Sequence, residues 1–460
     1  MKTILISKMA PTILILTVGT GTAGSQSNLS QGLANTIRLR PPSGFYLVPS
    51  TTPDSIAVAE LILESLDPKL RELFIPWEDG NPFLMISEPD SLESSRRVIR
   101  DLIREARRRS PGCELVINPT SGTKQMSAAA TLAALDEGAG QIVFTTGRRA
   151  DGVVITGTEE ITPFDSGRWN AEKEGSLAAD LWDRHLHLAA AEVFRSAASP
   201  LADKDEFRQR LLGLALAADA FAHQEAFQFS PAVEKFKEAR KHLRVDHLPK
   251  GSPGHGFGIL CDHAKKRMVK LNEAQGGKRN TSLQRMLLSE IVDNSLRCAG
   301  AGRYEDAACR LYRAIEMELQ IRLSEKTENA YWNGKLTKDA TPPPALTTSS
   351  FLTTIRRSEL PREFGMEHLA RALNELGDES VATLCADLDL EKKSQFRAAT
   401  ATRNASILAH GVAPVDAKGF QSLKAAAQEL LGLSTSVSNQ IPKFDKKWLE
   451  VDNLPKHSAS

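Results

Sequence analysis

Three residues near the C-terminal end carry the clearest chemistry in this chain. They are Arg403, Asn404 and His410, within Arg-Asn-Ala-Ser-Ile-Leu-Ala-His. Cleaving an RNA phosphodiester requires an acid or base near the 2′-hydroxyl or the leaving oxygen, and a cation against the charge that builds on phosphorus. An imidazole and a guanidinium can supply both without a metal ion. Arg403 and His410 are seven positions apart, so on a continuous helix they point nearly the same way, about 10 Å apart along the axis. Phe396–Ala409 reads as such a helix, Ala-rich and stopped by Gly411 and Pro414, which places His410 at its C-terminus. There the helix dipole favours the imidazolium. Two other Arg/His pairs have similar spacing. Arg240/His247 sits in a charged helix end before Pro249, and Arg362/His368 is interrupted by Gly365. Spacing alone does not set the third pair apart; its Ala-rich helix and the asparagine after the arginine do.

A second chemistry belongs to two loops near the N-terminus. Gly19-Thr20-Gly21-Thr22-Ala23-Gly24 follows an apolar strand and precedes a helix. A dinucleotide site would add a carboxylate at the end of the second strand, where Val48-Pro49-Ser50-Thr51 has none. A phosphate-binding P-loop would add Gly-Lys-Ser/Thr, which is missing. A turn that needs glycine for its backbone alone stays open, as does a loop of N–H groups and hydroxyls facing an anion. Asn118-Pro119-Thr120-Ser121-Gly122-Thr123-Lys124 likewise follows a strand and opens a helix. Ser121 or Thr123 can cap that helix, but a lysine in the first turn opposes the dipole and suits a phosphate ligand.

These residues need elements to hold them. Over 12–165 strand and helix signals alternate: strands at Thr12–Val18, Phe45–Val48, Phe83–Ile86, Leu115–Ile117, Ile142–Thr145 and Val153–Thr156, and helices at Asn28–Arg38, Ile56–Leu66, Ser91–Arg109 and Lys124–Leu135. The pattern predicts an α/β Rossmann-like domain with a parallel sheet, its ligand beyond the carboxyl ends of the strands. Beyond Trp169 convincing strands disappear, and an all-α connector and C-terminal domain follow. Helices are expected at Leu177–Phe194, Phe207–Phe227, Val233–Leu243, Leu283–Cys298 and Tyr304–Leu323, with loops at Pro249–Gly258 and Thr341–Ser350 and a poorly ordered tail from Pro442. The divisions expected are 1–168, 169–280 and 281–460.

The 460 residues exceed what one core usually serves. With 58 Lys+Arg against 57 Asp+Glu, a general nucleic-acid coat is excluded, so an RNA site must be local. Five scattered cysteines without a Cys-x-x-Cys pair suit a reducing cytoplasm and argue against zinc or redox chemistry. Met1–Gly24 has the outline of a signal peptide, but Thr17–Gly21 reads better as a strand entering a glycine turn. No stretch reaches the roughly 20 apolar residues of a membrane span.

The Gly-Thr-Lys turn, together with the Gly-rich loop after the first strand, resembles the CRISPR-associated Rossmann fold (CARF) sensor domain over residues 12 to about 165. The resemblance implies a homodimer that binds a cyclic oligoadenylate across its two-fold axis. Gly19, Thr20, Gly21, Thr22, Ser121, Gly122, Thr123 and Lys124 would contact the ring, with Lys124 on phosphate or ribose. The ring expected first is the tetra-adenylate, with the hexa-adenylate as the alternative. Arg403-Asn404 through His410 resembles the signature of HEPN ribonucleases, and Tyr304–Glu316 resembles an earlier helix of members that also carry a CARF domain. That resemblance implies a dimeric nuclease site in a type III CRISPR effector. It acts on single-stranded RNA with no metal and no cofactor, with Arg403 on the scissile phosphate, Asn404 positioning it and His410 in acid/base or orienting work. Arg310, Arg313 and Glu316 are secondary candidates that could equally be surface ion pairs.

Overall fold

Thr12–Val18 (β1) is apolar and β-branched on both of its faces, which suits only a strand covered on both sides. The structure, a computed structural model, describes residues 10–21, 26–78, 80–150, 153–155, 157–408, 411–434 and 441–450. Two units account for the chain, dividing it at residues 174/175 with the short segment 199–202 belonging to the first.

In the first unit the order is β1, α1 (Gln26–Leu39), β2 (Gly44–Pro49), α2 (Pro53–Ser65), a single turn α3 (Pro68–Arg71), α4 (Leu92–Arg109), β3 (Glu114–Asn118), α5 (Lys124–Asp136), β4 (Gln141–Thr146), a two-residue hairpin of β5 (Arg149–Ala150) and β6 (Val153–Val154), and β7 (Glu160–Phe164). The sheet runs β2-β1-β3-β4-β7. Its first four strands are parallel, with Ile15 opposite both Tyr46 and Ile117, and β7 adds an antiparallel edge. Alternation along β1 divides the core. Ile13 and Ile15 pack with α4 and α5, while Leu14, Leu16 and Val18 pack with α1 and α2.

Three expectations change here. The strand at Phe83–Ile86 shrinks to one bridge, Ser50 with Ile86, between flanking prolines. The edge strand β7, which contains a proline, was not anticipated, so the sheet is mixed rather than wholly parallel. The last expected strand, Val153–Thr156, is only β6, and Thr156 lies outside the described residues.

The second unit is helical. Helix α6 (Ser166–Asp183) contains the division; α7 (His187–Ala198), α8 (Glu206–Glu225), α9 (Phe229–His242) and α10 (Pro253–Gln275) follow. The single helix expected at Leu177–Phe194 is broken by His185, whose φ of 58° is left-handed. The expected loop Pro249–Gly258 is instead half helix, because Ser252 caps α10 and Pro253 occupies its first turn. Nor is the start of the tail loose. Phe444 and Trp448 are buried around Trp182, whose Nε1–H donates to the Pro442 carbonyl at 2.9 Å.

Next come α11 (Thr281–Gly300) and α12 (Tyr304–Lys326), a hairpin turning at Gly302. A small ribbon, β8 (Tyr331–Trp332) and β9 (Lys335–Leu336), precedes α13 (Ser349–Thr354), α14 (Met366–Glu375), α15 (Ala382–Asp389), α16 (Gln395–Asn404) and α17 (Ala417–Leu431). One core built on Leu311, Ile315 and Leu319 of α12 joins α11, α14, α16 and α17. Among the described residues no helix is long and apolar enough to cross a membrane.

Candidate functional site

The two loops meet. The Gly19 N–H donates to Ser121 Oγ at 2.9 Å, and the Thr17 hydroxyl donates to the Ser121 carbonyl. A Cβ on Gly19 would stand 2.7 Å from the Gly122 nitrogen, and Gly122 has φ +117°, so both positions need glycine. Side chains fix the second loop. Asn118 Nδ2 donates to Thr145 Oγ1 at 2.9 Å, the Thr145 N–H donates to Thr120 Oγ1 at 2.8 Å, and Thr123 caps α5 by accepting from the Met126 N–H.

Beyond the carboxyl ends of β1 and β3 these loops border a cavity of about 420 Å³. Gly19, Thr20, Gly21, Ser121, Gly122 and Thr123 line it, with Asn28, Leu29, Gly32, Leu33, Met126 and Glu159. Thr22 lies outside the described residues. Lys124 opens α5 and is exposed, and it is not among the lining residues. Glu159, between β6 and β7, carried no signal in the sequence.

The second candidate site is on α16 and α12. Arg403 lies over Tyr312, its Cζ 4.4 Å from the ring centroid, and Nη1 donates to Asn404 Oδ1 at 3.0 Å. Its Nε is shielded from solvent with no partner among the described residues. Burial pushes the Tyr312 hydroxyl above its ordinary pKa, opposed by the neighbouring Arg403. The helix expected over Phe396–Ala409 ends at Asn404, short of its expected end. The chain instead turns back. The Ala405 carbonyl accepts from the Ala413 N–H at 2.9 Å, the Ser406 carbonyl accepts from the Gly411 N–H at 3.0 Å, and Glu305 of α12 accepts from the Leu408 N–H at 2.9 Å. His410 itself lies outside the described residues.

Arg310 pairs with Asp306 at 3.0 Å, and Arg313 pairs with Glu316 at 2.9 Å and donates to Gln320, the surface ion pairing left open above. Arg240 is taken by Asp246 and Asp262. Arg362 precedes α14, which starts at Met366, so it shares no helix with His368. Tyr312 and Glu305 lie within the Tyr304–Glu316 stretch, but nothing in their spacing announced contact with residues some 90 or more positions away.

The family model described as the Csm6 HEPN domain matches residues 278–434. No curated protein matches the sequence. Among solved structures, Enterococcus italicus Csm6 bound to cyclic hexa-2′-fluoro-hexa-dAMP is similar in fold, with a TM-score of 0.56 at 12% identity over 96% of this chain and 97% of that one. Residues 278–434 thus match the Csm6 HEPN domain model, and the chain as a whole shares the fold of that Csm6 structure.

Proposed function

We propose that this chain is an endoribonuclease, independent of metal, that cleaves single-stranded RNA in type III CRISPR defence when a cyclic oligoadenylate binds its N-terminal domain. The observation that carries the reading is the presence, in one chain, of a strand-end cavity between two abutting loops and a Csm6-type HEPN domain with Arg403 braced on Tyr312. Residues 1–168 sense the ring, 169–280 connect, and 281–460 cleave. Gly19–Thr22 and Ser121–Thr123 face the ring, and Lys124, at the mouth of the same loop, meets phosphate or ribose. Two copies form a homodimer in the cytoplasm, with the ring across the two-fold axis and RNA in a composite nuclease cleft. Arg403 stabilises the charge on phosphorus, Asn404 positions the phosphate, and His410 moves the proton. The 2′-oxygen attacks phosphorus and the P–O5′ bond breaks, leaving 2′,3′-cyclic phosphate and 5′-hydroxyl ends. Ring binding shifts the population toward an aligned pair of catalytic groups. The similar Csm6 structure holds a six-membered ring analogue, so the hexa-adenylate stands beside the tetra-adenylate as activator.

Purified protein in EDTA should degrade single-stranded RNA only when one of these rings is added, and His410→Ala should not. No cleavage with either ring, or a His410→Ala variant as active as wild type, would sink the proposal. The end of α16 at Asn404 favours one competing reading, a ring-binding adaptor that cleaves nothing. It expects ring binding without loss of RNA.

A further inference from the structure

The charged residue that lines the strand-end cavity, Glu159, has the sign opposite to the one an oligonucleotide's phosphates need. Among the described residues that line the cavity there is no lysine or arginine, and the one ionisable group is Glu159. One oxygen of that carboxylate is satisfied: Oε2 accepts from the Gly157 N–H at 2.8 Å and from Asn35 Nδ2 at 3.3 Å, which fixes the side chain. The other, Oε1, is shielded from solvent and has no hydrogen-bond partner among the described residues. Gly32 lies beside it: a Cβ there would stand 3.4 Å from Oε1. A carboxylate oxygen withdrawn from water and left without a donor is costly, so whatever fills the cavity must bring one.

A phosphate cannot do so, because like charges repel and a phosphodiester has no proton to donate. The donors of an adenylate ring are its 2′-hydroxyls and the adenine N6 amino groups. The hydroxyl is tied to the ribose beside the phosphates, whereas N6 is the donor farthest from them. The apolar Leu29, Leu33 and Met126 line the same cavity and suit a base face, while the backbone N–H groups of the two loops suit the phosphate side.

We propose that Glu159 Oε1 accepts a hydrogen bond from the N6 amino group of a bound adenine, making Glu159 the residue that selects adenine. This rests on the ring-binding reading above. Hypoxanthine places a carbonyl oxygen where adenine has its amine, setting two acceptors face to face, so the site rejects it by misfit as well as by a lost bond.

The test is calorimetric titration of the full chain with cyclic hexa-adenylate, cyclic hexa-inosinate and cyclic hexa-2′-deoxyadenylate, repeated with the tetra-membered rings. Wild type should bind the adenylate roughly 100-fold tighter than the inosinate and keep most of its affinity for the 2′-deoxy ring. In Glu159→Ala the adenine preference should shrink to within about 3-fold, and in Arg403→Ala it should stay. Equal binding of adenylate and inosinate by wild type, which needs no variant to fold, overturns the assignment. So does a preference that survives in Glu159→Ala, or loss of binding confined to the 2′-deoxy ring. Failure of every ring to bind wild type overturns the ring-binding reading and this assignment with it.

Discussion

At the residue scale, Gly19 fits tightly against Gly122: a Cβ at 19 would stand 2.7 Å from the Gly122 nitrogen and 2.8 Å from its Cα. Both are backbone contacts of rigid loops, so a side chain at 19 has nowhere to move its neighbour. Gly19→Ala should spread the loops, lower ring affinity at least about tenfold and destabilise the protein by about 1–3 kcal/mol, the usual effect of overpacking. Calorimetry and thermal melts check the two effects, and unchanged ring affinity would count against the cavity as the ligand site. The glycines were legible in the sequence as turn residues after strands. Their meeting across about 100 positions was not, since it depends on β1 and β3 lying side by side. Arg403 and Asn404 were singled out in the sequence as candidates, but the Tyr312 ring beneath Arg403 emerges only when α16 packs on α12.

At the element scale, the helical reading succeeded where periodicity was long and failed where local hydrogen bonds overrode it. Helix α12 spans a full 23 residues, close to expectation. Helix α16 stops early because the Ala405 and Ser406 carbonyls bond to Ala413 and Gly411 instead of continuing the helix. The break between α6 and α7 has a titratable consequence. His187, in the first turn of α7, is buried against Trp182 and Phe221, and neither ring nitrogen has a partner among the described residues. Burial, with smaller contributions from His185 and Arg297, holds its pKa down to about 3. The unfolded chain has an ordinary histidine near 6.5, so between pH 6.5 and about 3 the unfolded state binds more protons than the folded one. Stability should therefore fall by about 1.4 kcal/mol per pH unit on acidification through that window. Urea melts from pH 7.5 to 5 should show this slope, and His187→Leu should flatten it. An unaltered slope in the variant would contradict the assignment.

At the scale of the whole molecule, the second unit is held together by charges that the sequence presents as ordinary surface residues. Glu290 of α11 is fully buried and accepts from Arg297 at 2.8 Å, Arg267 of α10 at 2.9 Å and Gln224 of α8 at 2.8 Å, while Arg297 also pairs with Glu225. Helices from either side of residue 280 thus share one ionic centre, and no periodicity could have shown it. Glu290→Ala leaves two arginines without their shared partner and should cost about 3–5 kcal/mol, read as a lower denaturant midpoint. A cost below about 1 kcal/mol would place the cluster among solvated pairs. The alternation of strands and helices had already marked an α/β region before an all-α region.

The most direct measurement of the central claim is cleavage of a labelled single-stranded RNA in EDTA, titrated with cyclic tetra- and hexa-adenylate, for wild type and Arg403→Ala. Wild type should cleave saturably and only with ring. Arg403→Ala should cleave at least about 100-fold more slowly while binding the ring as wild type does. Equal cleavage by the two proteins, or none by wild type with either ring, would contradict the account.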